Sequence, residues 1–115
     1  MKNVQLLALI RSLKKTAREK DAEIWNTIAD SLAKPRSTRI VVNLSRVNRH
    51  AQKGQTIAIA GKVLGSGTID HPITVAAFAF SPTAEKKIKK AKGKCLTLAE
   101  LMEKNAKGSN VKIVG

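Results

Sequence analysis

The sequence predicts a single α/β domain with an N-terminal helical segment. Its 115 residues are the length of one domain, and a hydrophobic content of 43% is enough to form one modest core. Segments with helical periodicity alternate with apolar stretches typical of buried strands, and no internal repeat or flexible linker separates them. We therefore assign residues 1–35 to the helical segment and residues 36–115 to a mixed α/β core of the same domain.

Two amphipathic helices are predicted in the first third of the chain. Apolar residues recur at three- and four-residue steps from Val4 to Ala17, with basic residues on the remaining face. A second apolar stripe with a spacing of four begins at Ile24. Asp21 is the predicted N-cap of this second helix, and Pro35 would end it.

The middle of the chain is predicted to change from strand to helix and back. Residues 40–42 have β character, and apolar residues then recur at helical spacing, so that Asn43 or Ser45 would open a short helix. Residues 56–64 are rich in β-branched and small apolar side chains. We predict a strand there that bends or bulges at Gly61.

The last third is predicted to contain a core strand, two helices and a final strand. Residues 73–80 form a nearly continuous apolar run, which suits a strand buried on both faces. The Ser-Pro pair at 81–82 is a typical helix start, and this helix would end by Gly93. A capping box at 97–100 predicts one more helix, and residues 111–114 are the predicted final strand.

The charge of the chain is strongly positive and unevenly distributed. Lys and Arg number 22 against 8 Asp and Glu, which gives a formal charge of +14. No carboxylate occurs from Ser31 to Ile69, so the basic residues of that window cannot be neutralised within it. All six arginines lie in the first half of the chain, and the planar guanidinium binds phosphate through two hydrogen bonds at once. We therefore predict an anionic partner held mainly by residues 36–62.

Two further basic features allow more than one interpretation. Six lysines lie within residues 86–94, as expected either of a solvated helix face or of a contact with RNA. The glycine-rich segment 61–67 is not a P-loop, because no hydroxyl residue follows its Gly-Lys pair. Its backbone N–H groups would suit an anion, while a bulge and a tight turn explain its glycines equally well.

No pattern for catalysis or metal binding is present. One cysteine and two isolated histidines give no set of four zinc ligands, so no metal and no cofactor are expected. Asp70 and His71 are expected to point apart on a solvated turn. Lys94 could lower the pKa of Cys95, although a lone cysteine is by default a small buried hydrophobe. These features predict a reduced, cytoplasmic protein that is not an enzyme, has no small-molecule substrate and has no membrane span.

The aromatic residues favour RNA read through its backbone. Trp25, Phe78 and Phe80 occupy predicted core positions, and tyrosine is absent. Stacking platforms for unpaired bases are therefore disfavoured, and recognition is expected to use phosphate, ribose and shape. An architectural, chromatin-type protein that binds double-stranded DNA is the alternative.

Several segments, taken in their order along the chain, resemble a known family. They are Lys34-Pro35-Arg36 with Arg39, Val42-Asn43-Leu44 with Arg46, Gly61-Lys62-Val63-Leu64-Gly65-Ser66-Gly67, and Ile73-Thr74-Val75-Ala76-Ala77 before Phe80-Ser81. The family is that of the archaeal and eukaryotic large-subunit ribosomal protein L eighteen e, related to the bacterial L fifteen proteins, and the short chain is similar to the archaeal form. The resemblance implies irregular β-β-α units and a structural role in the large ribosomal subunit. It also implies large-subunit rRNA and neighbouring ribosomal proteins as partners.

The predicted RNA-binding residues fall into two groups. The first comprises cationic residues and two hydrogen-bonding residues of the central region: Lys34, Arg36, Arg39, Asn43, Arg46, Arg49, Lys62 and Ser66. The second lies on the first helix: Arg11, Lys14, Lys15 and Arg18.

Overall fold

The computed structural model describes residues 4–34 and 40–114, which contain five helices and five strands. The elements follow one another as α1 (Val4–Lys20), α2 (Glu23–Ala33), β1 (Ile40–Asn43), α3 (Leu44–His50), β2 (Thr56–Leu64), β3 (Thr74–Phe80), α4 (Pro82–Lys90), β4 (Lys94–Thr97), α5 (Leu98–Lys104) and β5 (Val111–Ile113). The predicted α/β class is confirmed.

The sheet is parallel in every described strand pair. Its order is β1-β2-β3-β4, and β5 also pairs with β2. Residues 56–58 of β2 pair with β5, whereas residues 61–64 pair with β1. Because β3 occupies the opposite edge of β2, β5 and β1 share the remaining edge end to end. All strands therefore run in the same direction, from the end of the sheet where β2 starts, here the amino end, towards the end where β2 finishes, here the carboxyl end.

Helices cover both faces of the sheet. One hydrophobic cluster joins α1, α2 and α5 to the face that carries Ala58, Ala60 and Ala76. The other cluster joins α3 and α4 to the face that carries Ile57 and Ile59. The molecule thus has three layers, because alternate residues of a strand point to opposite faces.

The aromatic residues are buried to different degrees. Trp25 is 0% exposed, and its Nε1 donates a hydrogen bond to the carbonyl oxygen of Ala106 at 2.7 Å. Phe78 and Phe80 are only half-buried, and each packs at the margin of one cluster. Their predicted core positions are therefore correct, but their burial is incomplete.

The predicted bulge in β2 is confirmed, and it explains a glycine. The register between β2 and β3 shifts between Ile59 and Lys62, where β2 has one residue more than its neighbour. A Cβ atom at Gly61 would lie 1.9 Å from the carbonyl oxygen of Ile40. Glycine at this position therefore allows β1 to pair with β2.

Two of the three predicted helix caps are confirmed. The Ser81 side chain accepts a hydrogen bond from the Ala84 amide at 3.2 Å, and both hydrogen bonds of the 97–100 capping box are formed. Asp21 as an N-cap is wrong. The N-cap of α2 is Ala22, while Asp21 has a φ of 50° and turns the chain between α1 and α2. Asp is among the residues that adopt this left-handed conformation.

Strand β4 was not predicted from the sequence. Its four residues lead from α4 to the capping box, and they show no clear alternation of apolar and polar side chains. The strand exists because Thr74 to Ala77 of β3 pair with Lys94 to Thr97, a contact between distant parts of the chain. Asn43 precedes α3 as predicted, and α3 ends at His50.

Candidate nucleic-acid interface

The glycine-rich loop at the carboxyl end of the sheet is held between α3 and α4. The Ser45 amide donates a hydrogen bond to the Ser66 carbonyl oxygen at 3.1 Å. Lys87 Nζ donates to the carbonyl oxygens of Gly65 at 2.7 Å and Gly67 at 2.8 Å. Gly67 has a φ of +96°, and a Cβ atom there would meet Ser45 at 2.6 Å. The turn interpretation of these glycines is therefore confirmed, whereas an anion site at the loop stays a prediction.

Three of the predicted RNA-binding residues lie near this loop. Asn43 and Arg46 are exposed at the junction of β1 with α3, and Ser66 is exposed on the loop that bonds to α3. Arg49 is exposed about one turn further along α3. Lys62 is also exposed and pairs with Val41 of β1. By alternation it lies on the sheet face opposite to α3, so these residues do not form one flat patch.

The basic residues of α1 form a separate surface in the other helix layer. Arg11, Lys14, Lys15 and Arg18 are all exposed. Lys14 Nζ lies 3.5 Å from Asp30 Oδ1, and Lys15 Nζ lies 3.9 Å from Glu19 Oε1. Such exposed ion pairs contribute little to stability, so a phosphate could replace either carboxylate at small cost.

The remaining predicted residues are at or beyond the end of α2. Lys34 is exposed at the C-cap of α2. Arg36 and Arg39 lie outside the described residues. The described part of the chain therefore places nine of the predicted residues on or beside α1, α3 and the carboxyl end of the sheet, with Lys34 at the end of α2.

The side chains of Asp70 and His71 contact each other, so the prediction that they point apart is wrong. His71 Nδ1 lies 2.5 Å from Asp70 Oδ1, and its Nε2 lies 2.6 Å from the Ala51 carbonyl oxygen. The hydrogen bond to Asp70 raises the pKa of His71, and the bond to Ala51 adds to this effect. The hydrogen bond from His71 lowers the pKa of Asp70, with a further bond from Asn48. The expectation of diverging side chains was wrong because the β2–β3 connection folds back onto the end of α3.

Cys95 behaves as a protonated, half-buried thiol. Burial raises the pKa of Cys95 to about 11, so the neighbouring lysine does not activate it. In the described ranges no three His, Cys, Asp or Glu side chains are grouped closely enough to hold a metal ion. None of the described helices combines the length and apolarity required to cross a bilayer.

The six lysines within residues 86–94 do not form one surface. Lys87 is half-buried and anchors the glycine-rich loop, a structural role that the sequence did not signal, since its acceptors lie 20 and 22 residues away. Lys89 Nζ lies 2.8 Å from Glu85 Oε1. Lys92 and Lys94 lie at the start of β4, at the amino end of the sheet. Neither the solvated-face interpretation nor the RNA-contact interpretation therefore applies to all six lysines together.

Comparison with known proteins identifies one family. The family model described as "Ribosomal protein 60S L18 and 50S L18e" matches residues 1–115. The "Large ribosomal subunit protein eL18" of Methanoregula boonei is 49% identical over 112 residues, which cover 97% of this chain and 93% of that protein. The protein of the same name from Methanospirillum hungatei is 47% identical with the same coverage. That of Halobacterium salinarum is 44% identical over 110 residues, 96% of this chain and 94% of its own. In agreement with the resemblance of its motifs, the chain belongs to the family of ribosomal proteins 60S L18 and 50S L18e.

Proposed function

We propose that this protein is a structural constituent of the large ribosomal subunit that binds folded large-subunit rRNA through phosphate, ribose and shape. The observation that carries the proposal is the arrangement of exposed cationic and hydrogen-bonding groups at the carboxyl end of the sheet and along α3. Arg46 and Arg49 project from α3, while Asn43 and Ser66 supply polar groups beside them. Membership of a structural ribosomal family makes the chain a non-enzymatic protein.

Local charge supports a polyanionic partner. The described residues from Ile40 to Ile69 include no carboxylate, and the next one, Asp70, is hydrogen-bonded to His71 and Asn48. The segment that carries the arginines of α3 therefore supplies no carboxylate of its own. Guanidinium groups in that setting favour phosphate oxygens, which accept two parallel hydrogen bonds.

The supporting structure is rigid enough to present these groups in fixed positions. The loop that carries Ser66 is tied to α3 by the Ser45 amide and to α4 by Lys87. The end of α3 is tied to the β2–β3 connection by His71 and Asn48. Positions fixed in this way suit recognition of a folded RNA surface, because few groups lose freedom on binding.

The expected partners are large-subunit rRNA and neighbouring ribosomal proteins, in the cytoplasmic ribosome. The relatives carry the name of a large ribosomal subunit protein, which favours RNA as the anion. No membrane and no small-molecule substrate is part of the proposal. The alternative of duplex DNA has no observation in its favour.

The test is the salt dependence of rRNA binding. Filter binding of the purified chain to in vitro transcribed archaeal large-subunit rRNA should weaken by roughly three to five decades between about 50 and 200 mM salt if six to ten phosphates are contacted. Duplex DNA at the same salt concentration should compete poorly. Binding that ignores salt, or equal competition by duplex DNA, would contradict the proposal.

A further inference from the structure

Two adjoining grooves lie at the amino end of the sheet, whereas Asn43 and Ser66 lie at its carboxyl end. The first has a volume of about 520 Å³ and is lined by residues 52–56 and 110–112, including Lys53 and Lys112. The second has a volume of about 90 Å³ and includes Lys92 and Lys94. Gly54 lines both grooves, so they are adjacent.

The strand register explains why lysines from distant parts of the chain meet here. Thr56 at the start of β2 pairs with Thr74 of β3 and with Val111 of β5, and Thr74 pairs with Lys94. Neighbouring strands are separated by about 4.8 Å, so β5, β2, β3 and β4 set these lysines along a row roughly 15 Å long. A row of that length is long enough to follow consecutive phosphates of one nucleic-acid strand, each of which carries one negative charge.

The turns that carry these lysines are fixed by hydrogen bonds. The Gly54 amide donates to the Pro72 carbonyl oxygen at 2.8 Å, and the Lys94 amide donates to the Ile73 carbonyl oxygen at 3.0 Å. Lys112 Nζ donates one hydrogen bond to the His50 carbonyl oxygen at 2.9 Å. An ammonium group has three N–H donors, so two remain for a ligand.

The lining of the grooves has the chemistry of an anion site. None of the described residues that line them is Asp or Glu. Gln52, Gln55 and Asn110 add amide groups that can donate to phosphate or ribose oxygens. Lysine acts on phosphate as a point charge without a fixed fork, which suits contacts that follow a backbone and do not read a sequence.

We propose that the amino end of the sheet is a second RNA-binding site, in which Lys53, Lys92, Lys94 and Lys112 hold the phosphate backbone of a separate rRNA segment. The inference rests on the proposed function and extends it to a second surface. The nine residues of β2 separate the two ends by about 26 Å at roughly 3.3 Å per residue. One phosphate therefore cannot contact Ser66 at the carboxyl end and these lysines at the same time, and on this proposal the protein links two RNA segments across its sheet.

The first test compares two charge-matched double variants in the full chain. Lys53→Gln with Lys94→Gln removes one ammonium group from each groove. Lys20→Gln with Lys86→Gln removes two exposed lysines elsewhere. The groove variant should lower the slope of log affinity against log salt for large-subunit rRNA by about 1.4 to 1.8, because each phosphate contact contributes roughly 0.7 to 0.9. The control variant should leave that slope nearly unchanged.

The outcomes separate this inference from the proposed function. Equal changes of slope in the two variants would overturn the second site while leaving rRNA binding by the carboxyl end intact. A wild-type chain that binds rRNA without salt dependence would overturn both. Melting temperatures of the two variants should agree with that of the wild type, so a loss of binding accompanied by unfolding of the groove variant alone would assign these lysines to structure and overturn the inference.

The second test asks whether the two ends contact different RNA. A short photocrosslinker is attached to Gln52→Cys at the amino end or to Ser66→Cys at the carboxyl end, with the parent chain as the control for labelling of Cys95. Crosslinked nucleotides in large-subunit rRNA should fall in two separate segments. Crosslinks from both positions to one segment, or none from Gln52→Cys, would contradict the inference.

Discussion

At the scale of single residues, the hydrogen bonds of His71 show how a basic protein fixes its own surface. Both ring nitrogens face acceptors, Asp70 on one side and the Ala51 carbonyl oxygen on the other. Only the protonated ring can donate to both at once. The charged form of His71 is therefore the one that ties the β2–β3 connection to α3.

This arrangement predicts a pH dependence of stability. The folded-state pKa of His71 is raised above its ordinary value of 6.5, so its contribution is fully present below about pH 6.5 and is lost as the pH rises through the folded-state pKa. The pKa of Asp70 is lowered from 3.8, so its contribution is lost only as the pH falls through that lower value. The His71→Gln variant should therefore have a lower melting temperature than the wild type, and the difference should be larger at pH 5.5 than at pH 8.5. Circular dichroism measures both melting temperatures. A difference that does not change with pH would show that the imidazolium is not the stabilising form.

Local patterns predicted residues that bond to near neighbours, and missed those that bond across the fold. Ser81 and the 97–100 capping box form contacts within three residues, so their spacing was sufficient. The contact of His71 with Ala51 spans 20 residues, and nothing in the local sequence points to it. Asp21 shows a further limit, because a residue suited to capping is equally suited to a left-handed turn.

At the scale of elements, the link between α4 and the glycine-rich loop joins the core to the proposed interface. Lys87 is half-buried, and its ammonium group donates to two carbonyl oxygens of the loop. Elements with local periodicity, such as α1 and β2, were predictable. β4 was not, because its four residues become a strand only through pairing with β3.

Substitution of Lys87 should destabilise the protein, because it removes the hydrogen bonds between α4 and the glycine-rich loop. Lys87→Gln should lower the free energy of unfolding by about 1.5 to 3 kcal/mol, the usual range for hydrogen bonds from a charged donor. Lys86→Gln, an exposed neighbour on the same helix, should change it by less than about 0.5 kcal/mol. Urea titration of the two variants measures the difference, and equal midpoints with equal slopes would refute the anchoring role.

At the scale of the whole molecule, the positive charge divides into surfaces on different layers. Arg46 and Arg49 lie on α3, whereas Arg11 and Arg18 lie on α1 in the opposite helix layer. Sequence spacing predicted which residues are exposed and basic. It did not predict that they are divided among surfaces, because that depends on the face of the sheet against which each helix packs.

The α3 surface should carry more of the RNA affinity than an unrelated basic residue. Arg49→Glu should weaken binding to large-subunit rRNA about tenfold or more, as expected for the loss of one charge-assisted hydrogen bond worth roughly 1.5 to 3 kcal/mol. Lys20→Glu makes the same change of charge at the end of α1 and should have a much smaller effect. Gel-shift titrations at one salt concentration, with melting temperatures as a check on folding, test the comparison. Equal losses in the two variants would mean that net charge alone determines the affinity.

The shared edge of β2 also bears on how the protein is made. Residues 56–58 pair with β5, which is synthesised more than 50 residues later. Until residues 111–113 have left the exit tunnel, one edge of residues 56–58 has unpaired backbone N–H and C=O groups, a known starting point for aggregation. Completion of the sheet is therefore a late event in synthesis, and a nascent chain halted before β5 exposes this part of the edge of β2.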